Sequence, residues 1–385
     1  TPDGLFLVVA NEGEPSDDYK VDPEGSVSVV DLSGGVAALT QEAVRTARFT
    51  GHLPVVNDWS LRQFGPGATL AQDLEPEYIA VSQDSKTAWV TLQENNAFAT
   101  LNIRKARFEK LTGLGFKDHA REGWGLDASD RDGPAINIRN WPVFGLYLPD
   151  AIAAFQVRGR TYLITANEGD ARAYPGFSEE ARVGALTLDS DTFPDPAVAA
   201  ALKSNAQLGR LTVTNTMGDY DGDGTYEKLF ALGGRSISVW SPDGQQYWDS
   251  KAELETITAA ALPAAFNSDN AANASFDTRS DNKGPEPEGV TVGKLFGGLY
   301  AFVALERIGG VIVYEVTDPL RPRFVTYFND RDFTAANPRL AGDLGPEGLL
   351  LIPAEDSPNG QPLLVVSNEV SGSTSVLEIS KAIAE

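Results

Sequence analysis

Cysteine is absent from the 385 residues, and histidine occurs only at His52 and His119. Without cysteine there are no disulfides, thiolate zinc sites, iron–sulfur ligands or cysteine nucleophiles. Two histidines leave almost no room for a Ser-His-Asp triad or a multi-histidine metal site. No apolar run reaches the roughly 18 residues that mark a membrane helix. A signal peptide and an initiator Met are also missing. Thr1-Pro2-Asp3-Gly4 reads as a turn feeding a strand at Leu5–Ala10, which predicts a processed or truncated start. Basic residues are scarce: 31 Lys+Arg face 54 Asp+Glu, for a formal net charge of −23. Such a chain repels nucleic acid and anionic membrane surfaces and suits divalent cations.

Apolar residues, by contrast, make up 42% of the chain, enough for a sizeable core rather than disorder. Gly 37 and Pro 23 are scattered between short runs of Val, Ile, Leu, Phe and Tyr, the pattern of an all-β protein. Alanine-rich Phe193–Asn205 and Ser250–Ala261 are the two helix candidates.

One pattern recurs: an apolar strand, a short polar turn opened by an acid, and a second apolar strand. It appears as LFLVVANEGE…GSVSVVDL, AWVTLQENNAFATLNI, YLITANEGDA…RVGALTL, LFALGGRSISVW, YAFVALERIGGVIVYEV and LLVVSNEVSGSTSVLEI. The turn acids are Glu12, Glu94, Glu168, Glu306 and Glu369, with Gly234 in the fourth unit, at intervals of 63 to 82 residues. A second acid, 17 to 22 residues upstream, accompanies four of them: Glu77, Asp150, Glu288 and Glu347, in Glu75-Pro-Glu77, Pro-Asp150, Glu286-Pro-Glu288 and Pro-Glu347. Repeated four-stranded antiparallel units predict a β-propeller, one domain over residues 1–385 with six recognisable blades. Glu77, Asp150, Glu288 and Glu347 then converge on one rim. There they either hold calcium with open positions for an anion or cap turns through backbone N–H groups.

The most specific local signal is Asp219-Tyr-Asp221-Gly-Asp223-Gly-Thr225-Tyr-Glu227. Acids at positions 1, 3, 5 and 9, a sharp-turn Gly at 6 and a carbonyl donor at 7 match a calcium loop. Phe230 at position 12 rules out an EF-hand. The Asn-Glu-Gly turns read as hairpin formers. The acidic run Glu14, Asp17, Asp18, Asp22 and Glu24 is either a second cation site or a solvated face. Arg235 and Arg307, at matching turn positions, and Arg139 are candidates to orient an anion, with surface ion pairs as the plainer account. His119 reads as a loop residue or a general acid.

Segments 7–19, 73–82, 91–103, 136–145, 280–290, 305–319 and 345–372 together resemble the choice-of-anchor I family. That family includes atypical large alkaline phosphatases of cyanobacteria and mesenchyme-specific cell-surface glycoproteins. The resemblance implies a secreted, cell-surface or periplasmic propeller with calcium and phosphatase activity. It also implies further repeats upstream, giving about seven or eight blades in the intact protein, and ring closure through those repeats or a partner chain. The leading expectation is a calcium-dependent phosphoric ester hydrolase. In it Glu77, Glu288 and Glu347 share metal, Asp150 joins them, and a carboxylate such as Glu288 deprotonates water. The alternative is a non-catalytic, calcium-binding extracellular module that meets mineral or another protein.

Overall fold

In the computed structural model, which describes residues 1–381, strands dominate and α-helix is confined to three short segments. Two of these fall where alanine-rich sequence placed them, at Pro196–Leu202 and Glu253–Ala261. Asp195 caps the first by accepting the amides of Ala197 and Val198. The third, Leu70–Asp73, is closed by a Thr69/Gln72 capping box.

Five antiparallel sheets stand side by side, built in chain order. The first comprises Phe6–Asn11, Ser26–Asp31 and Val44–Arg48. The second runs Pro76–Val81, Thr87–Leu92, Ala97–Asn102 and Arg107–Gly113, with Val55–Val56 added parallel at its edge. A third contains Ile152–Val157, Arg160–Asn167, Ser236–Trp240 and Gln246–Asp249. Pro287–Leu295, Gly298–Leu305, Val311–Glu315 and Arg323–Phe328 form the fourth. The fifth is Pro346–Ile352, Leu363–Asn368 and Ser373–Glu378. Strands Phe6–Asn11, Pro76–Val81, Ile152–Val157, Pro287–Leu295 and Pro346–Ile352 contact one another in that order.

The six sequence units thus become five sheets. Arg160–Asn167 pairs directly with Ser236–Trp240, so the third and fourth units are two halves of one sheet. The RVGALTL segment and Phe230–Ala231 instead join an irregular layer. That layer runs Glu180–Arg182, Thr212–Thr214, Phe230–Ala231, Phe144–Leu146 and Phe116–Asp118. Gly234 lacks an acid because it sits at the end of this insertion and not at a hairpin turn.

A shared cross-strand lock explains the recurrent asparagines. Asn167 donates to Ser236 and Ser238, whose hydroxyls both donate to Asp249. Asn11 donates likewise to Ser26 and Ser28, and Asn368 to Ser373. Ser373 and Ser375 bond Asp343. These asparagines fasten adjacent strands, while the left-handed turn positions fall to Gly13 and Gly169.

Sheet faces pack on their neighbours through Leu163, Leu364 and Val366, all nearly inaccessible. The matching positions on the first sheet, Leu7 and Val9, are 50% and 40% exposed. Leu350 and Val376 on the fifth are 59% and 60% exposed. Among the described residues no strand pairing joins the first sheet to the fifth.

Candidate metal centre

Three of the four rim acids sit at β-bulges, and the fourth, Asp150, lies just before the regular strand Ile152–Val157. Register shifts at Pro76/Ile79, Pro287/Val290 and Pro346/Gly348 place Glu77, Glu288 and Glu347 where the strand bends as it enters its sheet. A bulge re-aims a side chain that regular alternation would commit to a sheet face. Just before the strand, Leu148, Glu286 and Gly345 take positive φ, and a proline follows each. The hairpin register then brings the turn acid alongside, because Pro76 opposes Leu92, Pro287 opposes Leu305 and Pro346 opposes Asn368. Glu94 consequently acts on Glu77, Glu306 on Glu288 and Glu369 on Glu347.

The two glutamates of each Glu-Pro-Glu divide their roles. Glu75 and Glu286 are buried and neutralised. Arg172 bonds Glu75 at 2.8 Å and Asp73 at 2.6 Å. Arg279, Arg307 and Lys283 surround Glu286 and hold its carboxyl down at about 2 despite burial. Among the described residues Glu77 and Glu288, both partly exposed, have no ion-pair partner, although Lys283 acts on Glu288 from a distance. Burial first, then neighbouring carboxylates, push Glu77 up to about 12 and Glu288 up to about 11. Asp150 rises to about 6, chiefly by burial, and accepts a hydrogen bond from the Glu77 carboxyl. Glu288 Oε2 and Glu94 Oε2 are buried without a partner.

The rim is therefore uneven. Glu77 and Asp150 meet directly, Glu288 lies in the field of Glu168, Asp150 and Glu306, and Glu347 is exposed beside Glu369. Glu77, Glu288 and Glu347 are not brought within 4.8 Å of one another as a triple, and Glu347 stands exposed on the fifth sheet, away from the Glu77–Asp150 pair. Among the described residues, two groups bring three carboxylates within 4.8 Å of one another: Glu168/Glu286/Glu306 and Asp219/Asp221/Glu227. The first already holds a resident cation. Lys283 Nζ bonds Glu168 and reaches Asp170 at 3.1 Å and Glu286 at 3.4 Å, while Arg307 covers Glu306 and Glu286.

In the 219–227 loop, Asp219 accepts the amides of Gly222 and Gly224, and Glu227 accepts that of Tyr220. Gly222 and Gly224 both adopt positive φ, which lets the chain fold back so tightly. Asp219, Asp221 and Glu227 are hard oxygen donors suited to calcium, with the Thr225 carbonyl in the usual position. Asp223 turns instead to the Thr225 amide and hydroxyl. A chelator is expected to lower the unfolding free energy of the parent, by about 2.7 kcal/mol if free calcium stood near a hundredfold above Kd. Asp221→Ala should remove most of that response; an undiminished response would discard this loop as the main site.

The arginines expected to meet an anion are committed elsewhere. Arg235 is buried, donating to Asp127 O, Glu255, Ser280 O and Asn282 O, so no N–H face is left for a ligand. Arg307 is held by Glu286, Glu306 and Asn270. Arg139 stacks on Trp141 at 3.8 Å. His119 is a core residue, 1% exposed, donating from Nδ1 to Trp124 O at 2.6 Å. Burial and Lys117 hold its pKa well below the ordinary value, so it is neutral and not an acid catalyst. The acidic run after Glu12 is a solvated face with its own pairs, Asp18 with Lys20 and Glu24 with Arg48.

The choice-of-anchor I domain model matches residues 1–319. The chain belongs to the choice-of-anchor I family. Among relatives of this choice-of-anchor I chain, Gigasin-3a of Magallana gigas is 30% identical over 191 residues, covering 46% of this chain and 67% of that protein. The mesenchyme-specific cell surface glycoprotein of Strongylocentrotus purpuratus is 24% identical over 283 residues, covering 64% of this chain and 35% of the relative. The chain thus spans about a third of the length of the second protein. Among solved structures, the periplasmic gluconolactonase PpgL of Pseudomonas aeruginosa aligns at TM-score 0.37 and 14% identity, over 99% of this chain and 80% of that one. The Cps50 (Swd1) β-propeller domain of Myceliophteria thermophila gives 0.32 and 11%, over 99% and 85%. At these scores neither likeness carries an activity to the choice-of-anchor I chain.

Proposed function

We propose that this chain is an extracellular or cell-surface β-propeller module that binds calcium at two places, the 219–227 loop and the carboxylate rim at Glu77, Asp150 and Glu288. One observation carries the rim assignment. Glu77 and Asp150 meet in an acidic, largely buried setting that pushes both carboxyls up, and Glu288 Oε2 has no partner. Glu77, Asp150 and Glu288 would hold a divalent ion, whose charge would relieve the repulsion among the carboxylates. The surface location rests on the name of the Strongylocentrotus purpuratus relative and on family membership. Among the described residues no helix is long and apolar enough to cross a membrane.

Phosphoric ester hydrolysis is the second reading, favoured by one feature: Glu77, Asp150 and Glu288 remain partly exposed, so an outside ligand can reach the rim. Calcium there would polarise a phosphoryl oxygen and acidify bound water. Asp150, the most readily ionised of the three, would accept the proton of the attacking water, and Glu77 and Glu288 would fix the ion. Calorimetric calcium titration of the parent, Asp221→Ala and Glu77→Gln/Asp150→Asn should resolve two sites, each variant losing a different one. Loss of only one site across both variants would remove the rim assignment. An aryl phosphate assay between about pH 7 and 10 then decides catalysis: turnover abolished by Glu77→Gln/Asp150→Asn supports the hydrolase, and no turnover leaves the binding module.

A further inference from the structure

Far from the acidic rim, the surface reverses sign. A cleft of about 800 Å³ opens between the Val157–Arg160 turn of the third sheet and the 315–323 turn of the fourth. Four guanidinium groups line it, Arg158, Arg160, Arg321 and Arg323, against two carboxylates, Glu315 and Asp318, the second of which accepts the Leu320 amide. In a chain with 31 basic residues against 54 acidic ones, that gathering runs against composition. Arg323 is paired with Glu315, but Arg158, Arg160 and Arg321 have no side-chain ion pair or hydrogen bond among the described residues. The turn also carries strain. Val157 opposes Arg160 across a two-residue hairpin in which Arg158 takes φ 51° and Gly159 φ 77°. Asn-Gly is the ordinary occupant of such a turn, and a long side chain at the first position is disfavoured. Strain kept at a cleft edge points to use of the side chain.

We propose that this cleft binds a short oligosaccharide bearing sulfate or phosphate esters. Guanidinium forks pair with tetrahedral oxyanions through parallel N–H···O bonds. The volume exceeds one oxyanion and lies in the range of small-ligand sites. Half-buried Tyr162 is fixed by rings on both sides, Phe155 at 5.7 Å and Tyr247 at 5.6 Å, and with Pro319 and Leu320 offers an apolar wall to a sugar face. A long polyphosphate would feel the whole acidic chain and be repelled. A short ligand senses charge mainly within the Debye length of about 8–10 Å, where the arginines dominate. Ile152–Val157 separates the cleft from Asp150 by roughly 20 Å at 3.3 Å per residue, so the two sites are independent.

The test is calorimetry with a fully sulfated heparin tetrasaccharide, its desulfated form, a phosphorylated disaccharide and inorganic sulfate, at low and high salt. Saturable binding of a sulfated or phosphorylated sugar, lost on desulfation and weakened by salt, is expected; whichever ester binds identifies the source. Arg158→Asn should weaken it at least tenfold while leaving the denaturation midpoint equal or higher, because asparagine suits the turn, so misfolding cannot explain the loss. Arg321→Ala should act in the same direction, and Glu77→Gln/Asp150→Asn should bind as the parent does. Absence of saturable binding, equal binding of the desulfated sugar, or an unchanged affinity in Arg158→Asn overturns the proposal.

Discussion

Lys283→Met is expected to destabilise the protein by about 3–5 kcal/mol, the usual cost of stripping one partner from a buried ion cluster. Lys283 and Glu286 are almost inaccessible, and Glu168 is 4% exposed. Lys283, with the Asp170 amide and the Gln93 side chain, donates to Glu168 and offsets part of the burial that raises its carboxyl. Without it, burial and the fields of Asp170 and Glu286 meet less opposition at a carboxyl already raised to about 8. Glu286 retains Arg279 and Arg307, so the damage concentrates on Glu168. Adding Glu168→Gln to Lys283→Met should therefore recover most of the loss, a coupling that a denaturant-based double-mutant cycle reads directly. A Lys283→Met unfolding free energy within about 1 kcal/mol of the parent would mean that this ion cluster contributes little to stability. Millimolar calcium should also restore stability to Lys283→Met, since the oxygens of Glu168, Glu286 and Glu306 lie within 4.8 Å of one another and have lost one of their cations.

The repeat was legible because its parts are local. Alternating strands, an Asn-Glu turn and a Pro-acid entry all lie within about twenty residues, and the bulges fell where the prolines are. Strand partnership across an insertion was not legible. Asn167 finds Ser236 and Ser238 nearly seventy residues on, while RVGALTL offered a nearer strand of the right composition. The acids of the rim could be read from their spacing, but not which were already neutralised. Arg172 and Lys283 come from irregular segments with no periodic mark; Arg172 meets Glu75 from 97 residues away, and Lys283, three residues before Glu286, also reaches Glu168 across 115 residues. The one trace was in the motif itself: in Glu-Pro-Glu, the first acid precedes the strand and turns inward. Arg235 and Arg307 matched in sequence position yet serve different clusters, because Arg235 follows an insertion and not a hairpin.

Calcium should bind the rim more tightly as pH rises, and the reason is the protons held there. In the folded chain Glu77 and Glu288 are pushed up to about 12 and about 11, and Asp150 to about 6, against ordinary values of 4.5 and 3.8. A carboxyl whose folded pKa is raised contributes stability that is complete below its unfolded pKa and is lost as pH climbs toward the folded one. The cation-free protein should accordingly lose stability from about pH 5 upward, as the unfolded chain releases protons that Glu77 and Glu288 keep. A bound ion displaces those protons, so each one released at the rim tightens the apparent Kd by roughly tenfold per pH unit. In an Asp221→Ala background, which silences the exposed loop, the calcium-induced rise in midpoint should be small at pH 6 and large at pH 8. Glu77→Gln/Asp150→Asn in the same background should flatten both the pH dependence and the calcium response while keeping the fold, since amides of nearly equal volume can still hydrogen-bond across the pair. Equal calcium responses at pH 6 and pH 8 in the Asp221→Ala protein would show that the proton-bearing rim is not where the ion binds.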